Sequence, residues 1–145
     1  RAALGAKGGD GTLGEELALC ERYLAIEQLR LGPRLRVSRD VTALPADFPL
    51  PRLLLQPLVE NAVHHGIQPR RDGGEIRILG ERDAHGIRIT ITNPLAEHPT
   101  PNGNHHGLDN VRQRIAFRYG PRARLDAGAA DGVFRVRLTL PEDSR

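Results

Sequence analysis

Residues 53–66 read LLLQPLVENAVHHG, and this stretch decides the fold. It is apolar enough to predict a largely buried helix, and Pro57 places a first turn or a kink near the start of that helix. Spacings of three and four share a helix face, so four polar residues fall within about one turn of each other: Glu60, Asn61, His64 and His65. Taken alone, this patch is explained equally well as a binding site and as the solvated side of an amphipathic helix.

The residues before this helix predict another helix, a strand and a proline-rich connection. The first helix begins after Thr12, which can form a capping box with Glu15, and Gly32-Pro33 ends it. Residues 35–41 alternate between apolar and polar side chains, which predicts a half-buried strand. Residues 42–51, TALPADFPLP, predict a connection without regular structure.

The residues after the central helix predict two β-hairpins, with a loop and a third helix between them. The first hairpin pairs residues 75–82 with residues 86–94, and the second lies at residues 123–141 with Asp131-Gly132 at its turn. A polar stretch rich in glycine and proline leads to the third helix, at residues 108–119. This order predicts an α/β fold, a two-layer α/β sandwich in which helices cover one face of a mixed sheet.

The composition is that of one soluble globular domain. Hydrophobic residues make up 39% of the 145 residues and charged residues 27%, which argues against disorder, and no apolar run approaches the roughly 20 residues that span a bilayer. The net charge is +3, but the arginines are scattered among 18 acids and few aromatic rings are available for stacking, so we expect no direct contact with nucleic acid. The single cysteine, Cys20, fits a reducing compartment and a small buried side chain.

Three segments together resemble one superfamily. LQPLVENAVHHG resembles the N-box, and GNHHGLDNVRQRI the glycine-rich G-box, of the ATPases shared by histidine kinases, type II topoisomerases and the ninety-kilodalton heat-shock chaperone. The opening helix EELALCERYLAIEQLRLG, followed by a strand and LPRLLLQPLVENA, is similar to LytS/AlgZ-type sensor kinases in particular. The resemblance covers nearly the whole chain after Thr12. It implies a linker at residues 1–12, coming from an upstream helical dimerisation domain, and an ATP-binding catalytic domain at residues 13–145.

The N-box resemblance implies a role for each residue of the polar patch. Asn61 would be the Mg²⁺ ligand, since an amide oxygen is a hard, neutral ligand of the kind that magnesium prefers. Glu60 belongs to the same patch and is the catalytic candidate. His64 stands where the family usually carries a phosphate-contacting lysine, so a cationic role there depends on pH. His65 and Gly66 complete the residues expected to bind nucleotide in this helix.

The G-box resemblance rests on Gly103, Gly107, Leu108 and Asn110. Glycines let the backbone approach a phosphate closely, and the amides at the start of the following helix would point toward that anion. Arg112 lies on the same helix and is expected to add a charge-assisted contact to the nucleotide. Its neighbour on the helix, Arg114, fits such a contact and a solvent-exposed surface position equally well.

Two positions depart from the family pattern. The family's D-box is an aspartate followed by Asn-Gly, whose carboxylate accepts the adenine amino hydrogens, whereas this chain has Asn93-Pro94-Leu95. The amide oxygen of Asn93 can still accept a hydrogen bond, but a neutral acceptor is weaker than a charged one. His105 replaces the usual middle glycine of the G-box.

The polar residues 96–106, between the D-box and the third helix, predict a mobile lid over the nucleotide. Three histidines lie in this stretch: His98, His105 and His106. They lack the neighbouring carboxylate or cysteine of a recognised metal site, so they predict no metal centre.

The resemblance implies an ATP-dependent protein histidine kinase of a two-component system, with Mg²⁺ and ATP as cofactors. The domain would donate the γ-phosphate of ATP to a histidine on its own upstream dimerisation domain, and by itself it is expected not to autophosphorylate. The implied partner is a response regulator, with the LytTR type as the candidate. The full protein would be a homodimer, and this part would be the cytoplasmic domain of a membrane-anchored sensor. The altered D-box leaves a degenerate domain that acts through protein contacts as the alternative, and an ATP-driven clamp is disfavoured by the opening helix and the single small domain.

Overall fold

The computed structural model describes residues 10–95 and 105–142, apart from the side chains of residues 105 and 106. The helices are α1 (Leu13–Leu31), α2 (Gln56–Ala62) and α3 (His105–Tyr119). The strands are β1 (Asp10–Thr12), β2 (Leu35–Asp40), β3 (Pro49–Pro51), β4 (Gly74–Arg82), β5 (Gly86–Pro94), β6 (Arg124–Ala130) and β7 (Val133–Pro141). None of the described helices is long and apolar enough to cross a membrane.

Five of the strands form one mixed sheet, in the order β2-β4-β5-β7-β6. The pair β2–β4 is parallel, and the other neighbours are antiparallel. Alternate residues of the central strands belong to the same buried cluster as the apolar residues of the three helices: Ile76, Ile78, Ile87, Ile89, Ile91, Leu138 and Leu140. The helices therefore cover one face of the sheet, and the predicted two-layer α/β sandwich is confirmed.

Local sequence signals set the bounds of α1 and of the second hairpin. Thr12 and Glu15 form the predicted capping box, in which the Thr12 hydroxyl accepts from the Glu15 amide at 3.2 Å and the Glu15 carboxylate from the Thr12 amide at 3.0 Å. The turn between β6 and β7 has positive φ at both Asp131 (56°) and Gly132 (81°), as the predicted Asp-Gly turn requires.

Helix α2 occupies the middle of the helical layer, where it contacts α1, α3 and β5. Pro57 lies in its first turn, as predicted. Its buried residues include Leu58, Val59 and Ala62, each at most 2% exposed, so the helix is anchored along one side by core packing. The polar residues Glu60 and Asn61 lie on the other side of this helix.

Two predictions of local structure were wrong in part. The connection at residues 42–51, expected to lack regular structure, contains the short strand β3, which pairs with β1. Prolines are tolerated in β3 because it pairs along one edge only. Helix α3 begins at His105 rather than at residue 108. Gly107 is tolerated because it lies in the first turn, where backbone amides make no hydrogen bonds within the helix.

Candidate nucleotide-binding site

The polar side of α2 presents a side-chain amide that bonds to none of the described residues. The Asn61 side chain is partly exposed and makes no hydrogen bond to any residue that the structure describes. Glu60 is exposed, and its Oε2 accepts a hydrogen bond from Nε2 of Gln56, one turn earlier, at 2.8 Å. The carboxylate is thus oriented along the helix, and the amide oxygen of Asn61 remains available as a metal ligand.

The two histidines after Asn61 contact each other edge to face, with ring centroids 4.6 Å apart. Nδ1 of His64 lies 2.8 Å from Oε1 of Gln68, an oxygen that can only accept, so Nδ1 carries the proton. Burial of the ring, followed by the charge of His64, lowers the pKa of His65. Both effects disfavour the charged imidazolium form of His65.

The backbone widens where α2 ends. Residues Val63–Ile67 form a π-helical turn, in which the Gln68 amide bonds back to the Val63 carbonyl at 3.0 Å. Arg34 then stabilises the end of this turn, because its guanidinium donates to the carbonyls of Ile67, Gln68 and Arg70. Turns of this kind occur frequently at functional sites, where they displace the backbone from regular helical geometry.

Gly66 brings this turn into contact with the end of β5. A Cβ atom added to Gly66 would lie only 2.3 Å from Nδ2 of Asn93, and 2.6 Å from its Cβ and Cγ. Only a glycine fits there without displacement of the neighbouring strand. The N-box helix and the D-box strand, 27 residues apart in sequence, therefore meet at the pair Gly66–Asn93.

Asn93 is 5% exposed, and its orientation is set by a hydrogen bond. Its Nδ2 donates to the carbonyl of Pro94 at 2.7 Å, and reversing the amide would bring two oxygens together. The side-chain oxygen Oδ1 receives no hydrogen bond from the described residues. Arg70 steadies the following residue, since its Nη1 donates to the Leu95 carbonyl at 3.0 Å. The site thus presents an acceptor at the end of β5, in contact with the π-helical turn that follows α2.

The residues expected around the phosphates are only partly within the described chain. Gly103 and most of the expected lid at residues 96–106 lie outside the described residues, and so does the side chain of His105. Gly107 is exposed on α3, Leu108 is buried in the core, and Asn110 is exposed.

The two arginines of α3 are engaged by the fold. Arg112 donates through Nε and Nη2 to the Leu125 carbonyl, at 3.2 and 3.1 Å, and it also pairs with Asp109. Arg114 donates to the carbonyls of Arg52 and Leu53, so it stabilises the turn before α2. Either arginine would have to give up backbone contacts before it could reach a nucleotide.

Comparison with known proteins shows which family the chain belongs to. No family model matches the chain. It is 37% identical over 117 residues to the sensor histidine kinase YpdA of Escherichia coli, a match that covers 73% of this chain and 20% of that protein. It is 30% identical over 132 residues to the sensor histidine kinase BtsS of Escherichia coli (90% and 24%), and 28% identical over 150 residues to the sensor protein LytS of Staphylococcus haemolyticus (94% and 26%). The chain thus spans about a fifth to a quarter of the length of these curated relatives.

Solved structures agree with this result at the level of the fold. The catalytic domain of the histidine kinase ThkA, in a nucleotide-free form, superposes with a TM-score of 0.67 at 16% identity, over 92% of this chain and 94% of that one. The Acinetobacter baumannii histidine kinase AdeS gives 0.67 at 15% identity, over 93% of this chain and 68% of that one. The chain is homologous to sensor histidine kinases and has the fold of their catalytic domain.

In the sequence analysis, two residues that support this histidine kinase fold were not singled out. Glu16 is 2% exposed and contacts the turn before α2, and Arg34 stabilises the π-helical turn after it. Glu16 did carry a signal, because a carboxylate between Leu13 and Cys20 interrupts the apolar stripe of α1 and needs buried partners. Arg34 carried none, since its partners are backbone carbonyls more than 30 residues away.

Proposed function

We propose that this domain binds Mg-ATP and donates the γ-phosphate of ATP to a histidine on a separate dimerisation domain of a two-component sensor kinase. The observation that carries the proposal is the contact of Gly66 with Asn93, which joins the polar patch of α2 to a hydrogen-bond acceptor on β5. A metal ligand beside a base acceptor is what binding of a purine nucleoside triphosphate with its magnesium requires.

In this proposal Asn61 holds Mg²⁺. Among the described residues, no three His, Cys, Asp or Glu side chains converge as a metal cluster, so the remaining ligands would be water and phosphate oxygens, as magnesium commonly accepts. Held by Asn61, magnesium would neutralise charge on the phosphates during phosphoryl transfer. The residues of this chain supply position: Asn93 accepts from the adenine amino group, His64 faces the phosphates with its free Nε2, and Glu60 is the catalytic candidate.

The phosphate side of the proposal involves the glycine-rich segment. Gly103, Gly107 and Asn110 would contact the triphosphate through the backbone and the start of α3, with Leu108 anchoring that helix in the core. Arg112 would join them by exchanging its bond to the Leu125 carbonyl for a phosphate oxygen. His65 and Gly66 would complete the wall formed by the π-helical turn.

The partners follow from the same assignment. The histidine kinase ThkA has been solved in complex with the response regulator protein TrrA, and 41% of that matched chain superposes on 92% of this one with a TM-score of 0.67 at 13% identity. We propose a response regulator, of the LytTR type, as the downstream partner of this chain too. The full protein would be a homodimer anchored in the membrane, with this domain on the cytoplasmic side.

One observation favours a second candidate, a degenerate domain that works through protein contacts. Asn93 stands where the family has an aspartate, and its Nδ2 is already bonded to the Pro94 carbonyl. A neutral acceptor of this kind weakens adenine binding, because charge-assisted hydrogen bonds are roughly twice as strong as neutral ones.

Calorimetric titration with ATP, with and without Mg²⁺, separates these two candidates. Wild-type protein should bind ATP more tightly with the metal, and Asn61→Ala should remove that metal-dependent gain while the fold stays intact, because Asn61 makes no structural hydrogen bond to described residues. Gln113→Ala is a suitable matched control, since it removes an exposed side-chain amide from another helix at a position with no proposed role in binding. Unchanged Mg-ATP affinity in folded Asn61→Ala would refute the metal assignment, and no ATP binding by the wild type would favour the degenerate domain.

A further inference from the structure

A buried carboxylate from α1 holds the start of the N-box helix. Glu16 is 2% exposed, and its two oxygens accept three consecutive backbone amides. Oε2 accepts from Leu53 at 2.8 Å, and Oε1 accepts from Leu54 at 2.9 Å and from Leu55 at 3.2 Å. Helix α2 begins one residue later, and no side chain from its own end caps it. Glu16, 37 to 39 residues earlier in the chain, supplies those bonds instead.

The turn that Glu16 contacts has an unfavourable backbone conformation. Leu53 has a φ of 57°, in the left-handed region that branched residues avoid, and its side chain is 53% exposed. This conformation directs successive amides toward one carboxylate, which compensates for it. Arg114 contacts the opposite side of the same turn, where its Nη1 donates to the Leu53 carbonyl at 2.8 Å. The turn is therefore held from α1 through its amides and from α3 through its carbonyls.

The same part of α1 follows directly on strand β1 (Asp10–Thr12), which we call the entry segment. Strand β1 precedes α1 without a break and pairs with β3, whose last residue, Pro51, is two positions before Leu53. Asp10, at the start of β1, accepts from Arg118 of α3 at 2.8 Å. The entry segment is thus connected to the turn before α2 through strand pairing and through Glu16.

We propose that Glu16 is a positioning residue for nucleotide binding, which sets the place of Asn61 by fixing the start of α2 and so links that site to the entry segment. The inference rests on the proposed function, because it concerns the same metal ligand. Asn61 lies five positions after Gln56, about 7.5 Å along a rigid helix, so a shift at the first turn is carried to its amide. Misplacement of a binding group by about 1 Å is enough to cost a large factor in affinity or rate.

Glu16→Gln tests this proposal, and Glu15→Gln is its matched control. The glutamine amide keeps the size of the side chain but presents a donor to amides that also donate, so at least one bond to the turn is lost. Glu15 is exposed, and among the described residues its carboxylate bonds only to Thr12 at the start of its own helix, so its substitution removes a neighbouring charge without touching α2. Both variants are titrated with ATP, with and without Mg²⁺, at a temperature where thermal unfolding shows them to be fully folded.

The expected result is an affinity for Mg-ATP at least about fivefold weaker in Glu16→Gln than in Glu15→Gln, with a smaller change for metal-free ATP, since the shift falls on Asn61. A purely structural role would lower the unfolding temperature and leave that difference between metal-bound and metal-free affinity as in the wild type. Glu16→Asp keeps the charge at shorter reach and should recover part of the loss. It also replaces Glu16→Gln in the comparison if that variant does not fold.

Amide resonances of residues 53–61 provide a second measurement that needs no nucleotide. Glu16→Gln should displace the resonances from Leu53 through Asn61, and Glu15→Gln should leave them in place. A folded Glu16→Gln variant with Mg-ATP affinity within twofold of the control, or with unmoved resonances, overturns the inference. If the wild type binds no Mg-ATP at all, the proposed function fails, and the resonances alone decide whether Glu16 positions Asn61.

Discussion

Gly66→Ala should destabilise the domain by crowding the junction between α2 and β5. The added Cβ would lie 2.3 Å from Nδ2 and 2.6 Å from Cγ of Asn93, far inside van der Waals contact. Asn93 cannot swing aside freely, because it is 5% exposed and its amide is bonded to the Pro94 carbonyl at 2.7 Å. Either the π-helical turn or the strand end must therefore move.

Overpacking of a close-packed site costs about 1–3 kcal/mol. For a domain of 145 residues each kcal/mol corresponds to a few degrees, so the melting temperature should fall by about 4–12 °C. Thermal unfolding followed by circular dichroism measures this directly. Gly128→Ala is the control, since nothing lies within 4 Å of a Cβ built there and its φ is not in the left-handed region. That variant should melt within about a degree of the wild type, as surface substitutions generally do.

A double-mutant cycle then identifies the contact responsible. Asn93→Ala removes Nδ2 and Cγ, two of the three close atoms, and leaves only the Cβ at 2.6 Å. Gly66→Ala should therefore cost less in the Asn93→Ala background, with a coupling of about 1 kcal/mol. A Gly66→Ala variant that melts like Gly128→Ala, or a cycle with no coupling, would refute the close packing of α2 on β5. The proposed nucleotide site would then lose its central contact.

Three further predictions concern binding, catalysis and stability at high pH. Asn93→Asp should lower the stability of the ligand-free domain, because a carboxylate would face the Pro94 carbonyl. The same substitution should tighten ATP binding up to about tenfold in calorimetry. Equal or weaker affinity would contradict the adenine assignment. The chain alone should acquire no acid-labile label from ATP labelled in its γ-phosphate. Its described histidines, His64, His65 and His85, lie in the N-box region and a hairpin turn, where they cannot be presented in line to the phosphate. Stoichiometric phosphohistidine would disprove the division into two domains. Burial, with smaller contributions from nearby carboxylates, raises the pKa of Cys20 from 9.0 to about 12. The free energy of unfolding should therefore be unaffected by this thiol below pH 9. It should fall as the pH rises from 9 toward 12, by up to about 1.4 kcal/mol per pH unit, because the unfolded chain loses the thiol proton first. Denaturant unfolding between pH 8 and 10 should show a steeper loss of stability with pH in the wild type than in Cys20→Ala, where Tyr23, whose pKa burial raises from 10.0 to about 12, contributes only near the top of this range.

Local signals predicted most elements of the fold. The capping box of Thr12, Pro57 in the first turn of α2 and the Asp-Gly turn at residue 131 each depend on residues within one turn of each other. Alternation of apolar residues likewise predicted the strands of both hairpins. Strand β3 was missed because its prolines argue against a strand, and its pairing with β1 depends on residues almost 40 positions apart, which no local pattern records.

The site was predictable only where its residues share one element. The helical spacing placed Glu60, Asn61 and His64 on one side of α2, and the structure shows the first two on its polar side. The contact of Gly66 with Asn93 required the tertiary fold, and so did the capture of Arg112 and Arg114 by backbone carbonyls. A sequence identifies an arginine as a cation, but it does not show whether backbone carbonyls already accept the hydrogen bonds of that guanidinium.

The altered D-box is internally consistent as a neutral acceptor. The Pro94 carbonyl is only 2.7 Å from the Asn93 side chain and needs a donor there, which an ionised aspartate cannot supply. Asparagine provides that donor through Nδ2 and leaves Oδ1 available for the adenine amino group of the proposed site. Because Asn93 is almost fully buried, a carboxylate would also carry a desolvation cost until a ligand donor arrived. If the proposed adenine contact is right, an aspartate at position 93 would favour the nucleotide-bound state at the expense of the empty one, whereas the asparagine would keep the empty domain stable with a correspondingly weaker affinity for adenine.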